Sequence, residues 1–135
     1  MIAVDSSVLV DVLIADPRFA KASELCLGQA LAAGDVVVCD AVVAEVHTLL
    51  ESADAAMEGF ASLGIRYLPT NEKAAVRAGH MQRRFRDRGG QRERVVADFL
   101  IGAHALLQCD ALVTRDGGFF RDYFKGLKVI EPKVR

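Results

Sequence analysis

A chain of 135 residues, 52% hydrophobic and 26% charged, has the composition of one soluble globular domain, residues 1–135, large enough to bury a core and too apolar to be disordered. No apolar run reaches the roughly 18 residues of a membrane span, and Met1 leads directly into a strand-like Ile-Ala-Val with no signal or transit segment. The net charge of −1 says little as a total, but Arg83 to Arg94 holds six arginines against Asp87 and Glu93. Cys26, Cys39 and Cys109 are far apart and in apolar company, which reads as buried thiols in a reducing cytoplasm rather than as metal ligands or disulfides.

In chain order, strand and helix signals alternate. Ile2 to Val4 is a short strand ending at Asp5. Ser6 or Ser7 caps a helix to about Ile14, and Pro17 marks the break that follows. Phe19 to Ala32 is a second helix, closed by Gly34. Val36 to Val38 is a buried strand, with Asp40 as the expected N-cap of a helix carrying Val42, Val43, Val46, Leu49 and Leu50 on one face. Ser52 to Leu63 continues as a helix that stops at Gly64. Arg66 to Leu68 is a third strand, and Pro69-Thr70-Asn71 turns into a helix running to about Arg88, where Gly89-Gly90 breaks it. Next comes a helix with Val96, Leu100, Ala103 and Leu107 at the spacing of one buried face. Asp98 lies off that stripe, beside the small residues Gly102 and Ala105, which leave room for another backbone or a ligand. Ala111 to Thr114 is a buried strand, Asp116 begins an acidic loop, and Leu127 to Ile130 is the last strand. There are no repeats.

Five short apolar strands separated by helices predict an α/β fold with one parallel five-stranded sheet, the first strand central and next to the fourth. Right-handed crossovers put helices on both faces. Ligands of such sheets bind beyond the C-terminal strand ends, where the strand order reverses. Asp5, Thr114 and Asp116 fall at or just after such ends, and Glu45 lies at the rim of its helix's apolar face, able to turn toward them. Each acid alone reads as a solvated residue or a cap. Together they repel one another unless a cation neutralises them, and a ring of Asp and Glu without His or Cys favours Mg²⁺ or Mn²⁺ over zinc. His47, His80 and His104 lack ligand spacing and read as ordinary helix residues.

These residues also carry a family resemblance. IAVDSSVLVDVL, AVVAEVHTLL, RERVVADFLIGAHAL and LVTRDGGFFRDYF, in that order, resemble the PIN-domain ribonucleases, and more narrowly the VapC-type toxins of toxin–antitoxin pairs. The first and last stretches are the more specific. The resemblance implies a PIN-like three-layer α/β/α sandwich and Mg²⁺- or Mn²⁺-dependent cleavage of RNA. It also implies a homodimer and an antitoxin that blocks the site. Asp5, Glu45, Asp98 and Asp116 match the family's acidic metal-binding set, and Thr114 its accompanying polar residue.

On this reading Asp5, Asp98 and Asp116 are direct or water-mediated ligands, and Glu45 is either a further ligand or the group that orients the attacking water. Thr114 or Ser6 hydrogen-bonds a ligand carboxylate or the phosphate. Either one metal or two fits. Arg83, Arg84, Arg86, Arg88, Arg92 and Arg94 offset the acids and bind RNA phosphates, or else form a solvated face. Phe85 is core or stacks a base. Phe119, Phe120, Tyr123 and Phe124 favour packing, or a dimer and antitoxin surface, over base stacking. The helices at Phe19–Leu31 and Ala53–Leu63 offer apolar faces beyond what a small core needs, as self-association requires. A catalytically silent RNA-binding or regulatory relative is the alternative. A phosphoacceptor domain fits less well, because Asp5-Ser6-Ser7 lacks a neighbouring acid.

Overall fold

Short runs of β-branched and small apolar residues make the centre of the sheet. The computed structural model describes residues 1–90 and 94–134. In it Ile2–Val4 (β1), Val36–Val38 (β2) and Ala111–Val113 (β4) are almost wholly buried, while Arg66–Tyr67 (β3) and Lys128–Ile130 (β5) are more exposed. The polarity follows position: strand order is β3-β2-β1-β4-β5, so the two strands with charged residues are the edges. Charged edges resist pairing with another chain. All four pairings are parallel, with Ile2 opposite both Val36 and Ala111. The first strand is central and neighbours the fourth, as the sequence predicts.

Helices Ser6–Leu13 (α1), Ala20–Ala33 (α2), Asp40–Leu49 (α3), Ala53–Ser62 (α4), Glu72–Asp87 (α5), Val96–Gln108 (α6) and Gly117–Tyr123 (α7) complete the three-layer α/β/α sandwich. The chain steps from β1 to β2 to β3 on one side, then returns to β4 and β5 on the other. Right-handed crossovers in opposite directions cover both faces and open a crevice at the C-terminal end of β1. No helix among the described residues is long and apolar enough to cross a membrane.

Several local expectations change. Asp5, not Ser6 or Ser7, is the N-cap residue of α1, and its side chain makes no capping bond. Cys39 holds the N-cap position of α3; Asp40 lies in the first turn and accepts from Thr70 N and Oγ1 at 2.9 and 2.6 Å. Asn71 does cap α5, accepting from Ala74 N at 2.9 Å. On α3, Val42 and Val46 are buried but Leu49 is exposed.

The buried face of α6 is wider than the spaced stripe and shifted from its ends. Phe99 and Ile101 to Ala105 are buried, Ala103 of the stripe among them, and Leu100 packs half-buried on the core, while Val96 and Leu107 are 51% and 37% exposed. A helix between a sheet and other helices is buried over more than one stripe, which defeats a single-face reading. The space beside Gly102 is not open either, because a Cβ there would lie 2.2 Å from the Phe124 ring.

Gly117-Gly118 disguises α7. Two glycines argue against a helix, yet Phe119, Phe120 and Phe124 are buried and hold it in place. Phe85, Phe99, Phe119 and Tyr123 meet mostly edge to face, with centroids 5.3–6.4 Å apart. Phe85 therefore packs against the core, and the aromatic group is a packing element. The three cysteines are free, and burial raises their thiols, Cys109 to about 11.

Two predictions test the packing. Gly102→Ala drives a methyl into the Phe124 ring and is expected to cost roughly 1–3 kcal/mol by urea denaturation. Gly28→Ala, in open space on α2, should be neutral or gain up to about 1 kcal/mol; equal effects at the two sites would contradict the packing. His104 is 1% exposed and its Nε2 has no partner among the described residues. Burial lowers its pKa from the ordinary 6.5, against the raising effect of the Leu68 carbonyl and Asp40. The folded state thus holds it neutral while the unfolded chain takes up a proton. Its contribution is present above the ordinary histidine value and is lost as pH falls below it. A urea-midpoint profile should decline below about pH 6.5, and His104→Leu should remove that part of the decline.

Candidate metal centre

Asp5 follows β1 at the point where the strand order reverses. Its N–H still belongs to the sheet edge, donating to Val113 O at 2.9 Å. Because the side chain does not cap α1, its oxygens face neighbouring hydroxyls. Thr114 Oγ1 and Ser7 Oγ donate to Oδ2 at 2.7 and 3.0 Å. Thr114 is fully buried and also accepts the Asp116 N–H at 3.0 Å. One hydroxyl thus joins the end of β1 to the loop after β4. Burial pushes the Asp5 carboxyl above its usual range, against the donors Thr114 and Ser7, and the Asp98 charge adds to the rise.

Glu45 enters from α3, one turn beyond the C-terminal end of β2. Ser6 Oγ donates to its Oε1 at 2.8 Å and lies 3.5 Å from Asp5 Oδ1, so this hydroxyl sits between the two acids. Burial raises the Glu45 carboxyl too, with Asp5 and Asp98 contributing. Asp98, in the first turn of α6, accepts from Val95 N at 3.0 Å and so caps its own helix. Its carboxyl is raised first by burial and further by Asp116, against the Val95 N–H and the Arg94 charge.

The structure therefore brings all four predicted acids to one edge, each within electrostatic reach of another. As placed, no three His, Cys, Asp or Glu side chains among the described residues stand close enough to grip a single ion. The donor set still suits a hard divalent cation, being all carboxylate and hydroxyl oxygen, and such ions keep several waters between themselves and the protein. The raised carboxyls point the same way, since desolvated neighbouring acids favour a cation among them.

The arginines do not act as one group. Arg83, Arg84 and Arg86 are exposed on α5, and Arg88 lies at its end with its guanidinium 5.5 Å from the Tyr123 ring centroid. Arg92 lies outside the described residues. Arg94 turns inward: it pairs with the Asp116 carboxylate and sits 4.1 Å over the Phe119 ring.

Sequence reading missed Asp11 and Arg115. Asp11, on α1, is 2% exposed. Arg115 Nε donates to its Oδ2 at 2.6 Å and Nη2 to its Oδ1 at 3.0 Å. An acid within the apolar run Leu9-Val10-Asp11-Val12-Leu13 was the available signal, because a buried charge needs a partner.

The sequence profile of the family described as PIN domain matches residues 2–125. A comparison with curated proteins finds none that matches. Among solved structures, the chain resembles VapBC2 from Rickettsia felis bound to a DNA fragment from their promoter, with TM-score 0.78 and 18% identity over 98% of this chain and 100% of that one. VapBC-1 from nontypeable Haemophilus influenzae gives 0.72 and 17% over 97% and 98%. VapC20 from Mycobacterium tuberculosis, described as a sarcin-ricin loop cleaving toxin, gives 0.70 and 19% over 95% and 99%. Identities this low speak to the fold alone, but the profile match spans nearly the whole sequence: the chain belongs to the PIN domain family.

Proposed function

We propose that this chain is a Mg²⁺- or Mn²⁺-dependent endoribonuclease of the VapC toxin type, acting in the cytoplasm and inhibited by a cognate antitoxin protein. The observation that carries this reading is the convergence of Asp5, Glu45, Asp98 and Asp116 at the switch point of the sheet, with burial disfavouring the charged forms of Asp5, Glu45 and Asp98. The structural likeness to VapBC complexes and to an RNA-cleaving toxin supports it.

In this mechanism Asp5, Asp98 and Asp116 would hold the metal, directly or through water. Bound there, the ion would supply an activated water and positive charge against the phosphoryl and leaving oxygens. Glu45 is a further ligand or orients the water. Ser6 and Thr114 keep the carboxylates from rotating away. Arg83, Arg84, Arg86, Arg88 and Arg92 draw the RNA backbone toward an edge that would otherwise repel it. Arg94 already faces Asp116 and has only to exchange that carboxylate for a phosphate oxygen. Leu25 on α2 and Leu63 at the end of α4 are 65% and 60% exposed, apolar surface suited to the expected homodimer.

The Arg94–Asp116 pair also favours a second reading, a catalytically silent relative in which an internal cation neutralises the acids. Incubating the purified protein with total RNA, with and without Mn²⁺, separates the two. Cleavage only with metal supports the nuclease, and binding without cleavage supports the silent relative.

Asp98→Asn tests the metal ligands. Folding places the Asp98 carboxyl where its charged form is disfavoured, so its contribution falls as pH rises through the raised folded value and is unfavourable at neutral pH. The amide removes that penalty and one anionic ligand. Metal-free Asp98→Asn should have a slightly higher urea midpoint than wild type, no Mg²⁺-dependent cleavage, and a smaller thermal shift on adding Mn²⁺. Wild-type cleavage by this variant would leave Asp98 as a helix cap only. For the arginines, replacing Arg83, Arg86 and Arg88 by alanine should flatten the log–log dependence of RNA affinity on salt. Each lost contact to single-stranded RNA is worth a slope of roughly 0.7. An unchanged slope in the triple variant, measured in EDTA, would remove these residues from the RNA path.

A further inference from the structure

We infer that Arg115 and Asp11 are positioning residues, a charged clamp in which a part-exposed guanidinium grips a buried carboxylate and holds the loop bearing Thr114 and Asp116 in its metal-binding arrangement; this rests on the metal-dependent reading above. Arg115 is the residue between those two. Its guanidinium engages Asp11 with both edges of the fork, at 2.6 and 3.0 Å. Ser23 Oγ of α2 donates to the same carboxylate at 2.7 Å. The Phe19 ring lies 3.9 Å from the guanidinium carbon, and Asp16 fixes the turn that presents Phe19 by accepting the Arg18 and Phe19 N–H groups at 2.8 and 2.9 Å. The Arg115 side chain is thus held by α1, by the α1–α2 turn and, through Asp11, by α2. Its N–H reaches Ser7 Oγ at 3.3 Å, and that hydroxyl donates to Asp5.

Asp11 is not a ligand itself. Six residues along α1 from Asp5, it is turned by about 240° around the helix, and its oxygens are taken by Arg115 and Ser23. An ion pair with one partner buried and the other part-exposed adds little net stability, because solvent screens one side and desolvation costs the other, so its use here is geometric. A bidentate fork fixes both the distance and the orientation of the attached backbone. With Arg115 anchored, the Thr114 hydroxyl and the Asp116 carboxylate flank a peptide that cannot swing. Metal affinity then does not have to cover the ordering of that loop.

The test compares Arg115→Lys with the double variant Asp11→Asn/Arg115→Met. Arg115→Ala alone would strand a buried charge and can unfold the protein. The double variant removes both charges while keeping an acceptor for Ser23 and methylenes against Phe19. The lysine keeps the charge but loses the fork. The Mn²⁺ dissociation constant is measured by calorimetry, and amide hydrogen exchange at Thr114 to Gly118 is measured on metal-free protein. Supporting partners behind metal ligands are typically worth 10–100-fold in affinity. The double variant should weaken Mn²⁺ binding by roughly that factor and speed loop exchange at least about tenfold, with Arg115→Lys intermediate. Wild-type Mn²⁺ affinity and exchange in the folded variants would overturn the clamp. Failure of the wild-type protein to bind Mn²⁺ would instead overturn the metal reading and, with it, the role assigned here. The exchange rates would still show whether Arg115 orders the loop.

Discussion

Pairing of β1 with β4 is the contact on which the site depends. It sets Ile2, Ala3 and Val4 beside Ala111, Leu112 and Val113, residues more than a hundred positions apart, and so ends two strands at the same edge. Asp5 and Thr114 are the next residues on each. The hydrogen bonds from Asp5 N to Val113 O and from Thr114 Oγ1 to Asp5 Oδ2 continue that pairing beyond the sheet, first with backbone and then with side chains. A register shift by one residue would turn Thr114 to the other face and leave Asp5 buried without its donor. The parallel register is therefore what makes the acidic edge possible.

Gathering acids at that edge creates an electrostatic problem, and the fold answers it with fixed dipoles and cations. Ser6, Ser7 and Thr114 donate hydroxyls to Asp5 and Glu45, Val95 offers a backbone N–H to Asp98, and Arg94 meets Asp116. At Asp5, Glu45 and Asp98 this does not offset burial fully, since their carboxyls remain above the usual range. A protein selected only for stability would gain by replacing one acid with an amide. Retaining them all makes sense where a divalent ion or a polyanion's counter-charge completes the arrangement.

Behind the acids the aromatic residues form a stiff backing. Phe99 lies one residue after Asp98 and Phe119 three after Asp116, with their rings 5.3 Å apart at 81°. The Phe124 ring fills the notch at Gly102, one turn beyond Asp98. Packing of this kind joins the first turn of α6 to α7, and so fixes the backbones that carry Asp98 and Asp116 relative to one another. Arg94 rests on the face of Phe119, which ties its charge to the same body.

The sequence by itself determined which segments become strands, because β-branched runs bounded by caps and glycines leave few alternatives, and it determined that acids follow the strand ends. Asp5 and Asp116 were legible as candidates for that reason, Glu45 by its place at the rim of an apolar helix face and Asp98 by its place off one, all four helped by the resemblance of the stretches around them to PIN-domain ribonucleases. What the sequence left open depended on partners distant along the chain. Gly117-Gly118 argues against a helix until Phe119, Phe120 and Phe124 find the core. Gly102 looks like open space until the Phe124 ring occupies it. Arg94 reads as one of six surface cations, and only the fold turns it onto Asp116. Asp11 carried a sign of burial in its apolar neighbours, but not the identity of its partner. Local propensity acts over a few residues, whereas the ion pairs and ring contacts that order this site form only when β1 and β4 are already side by side.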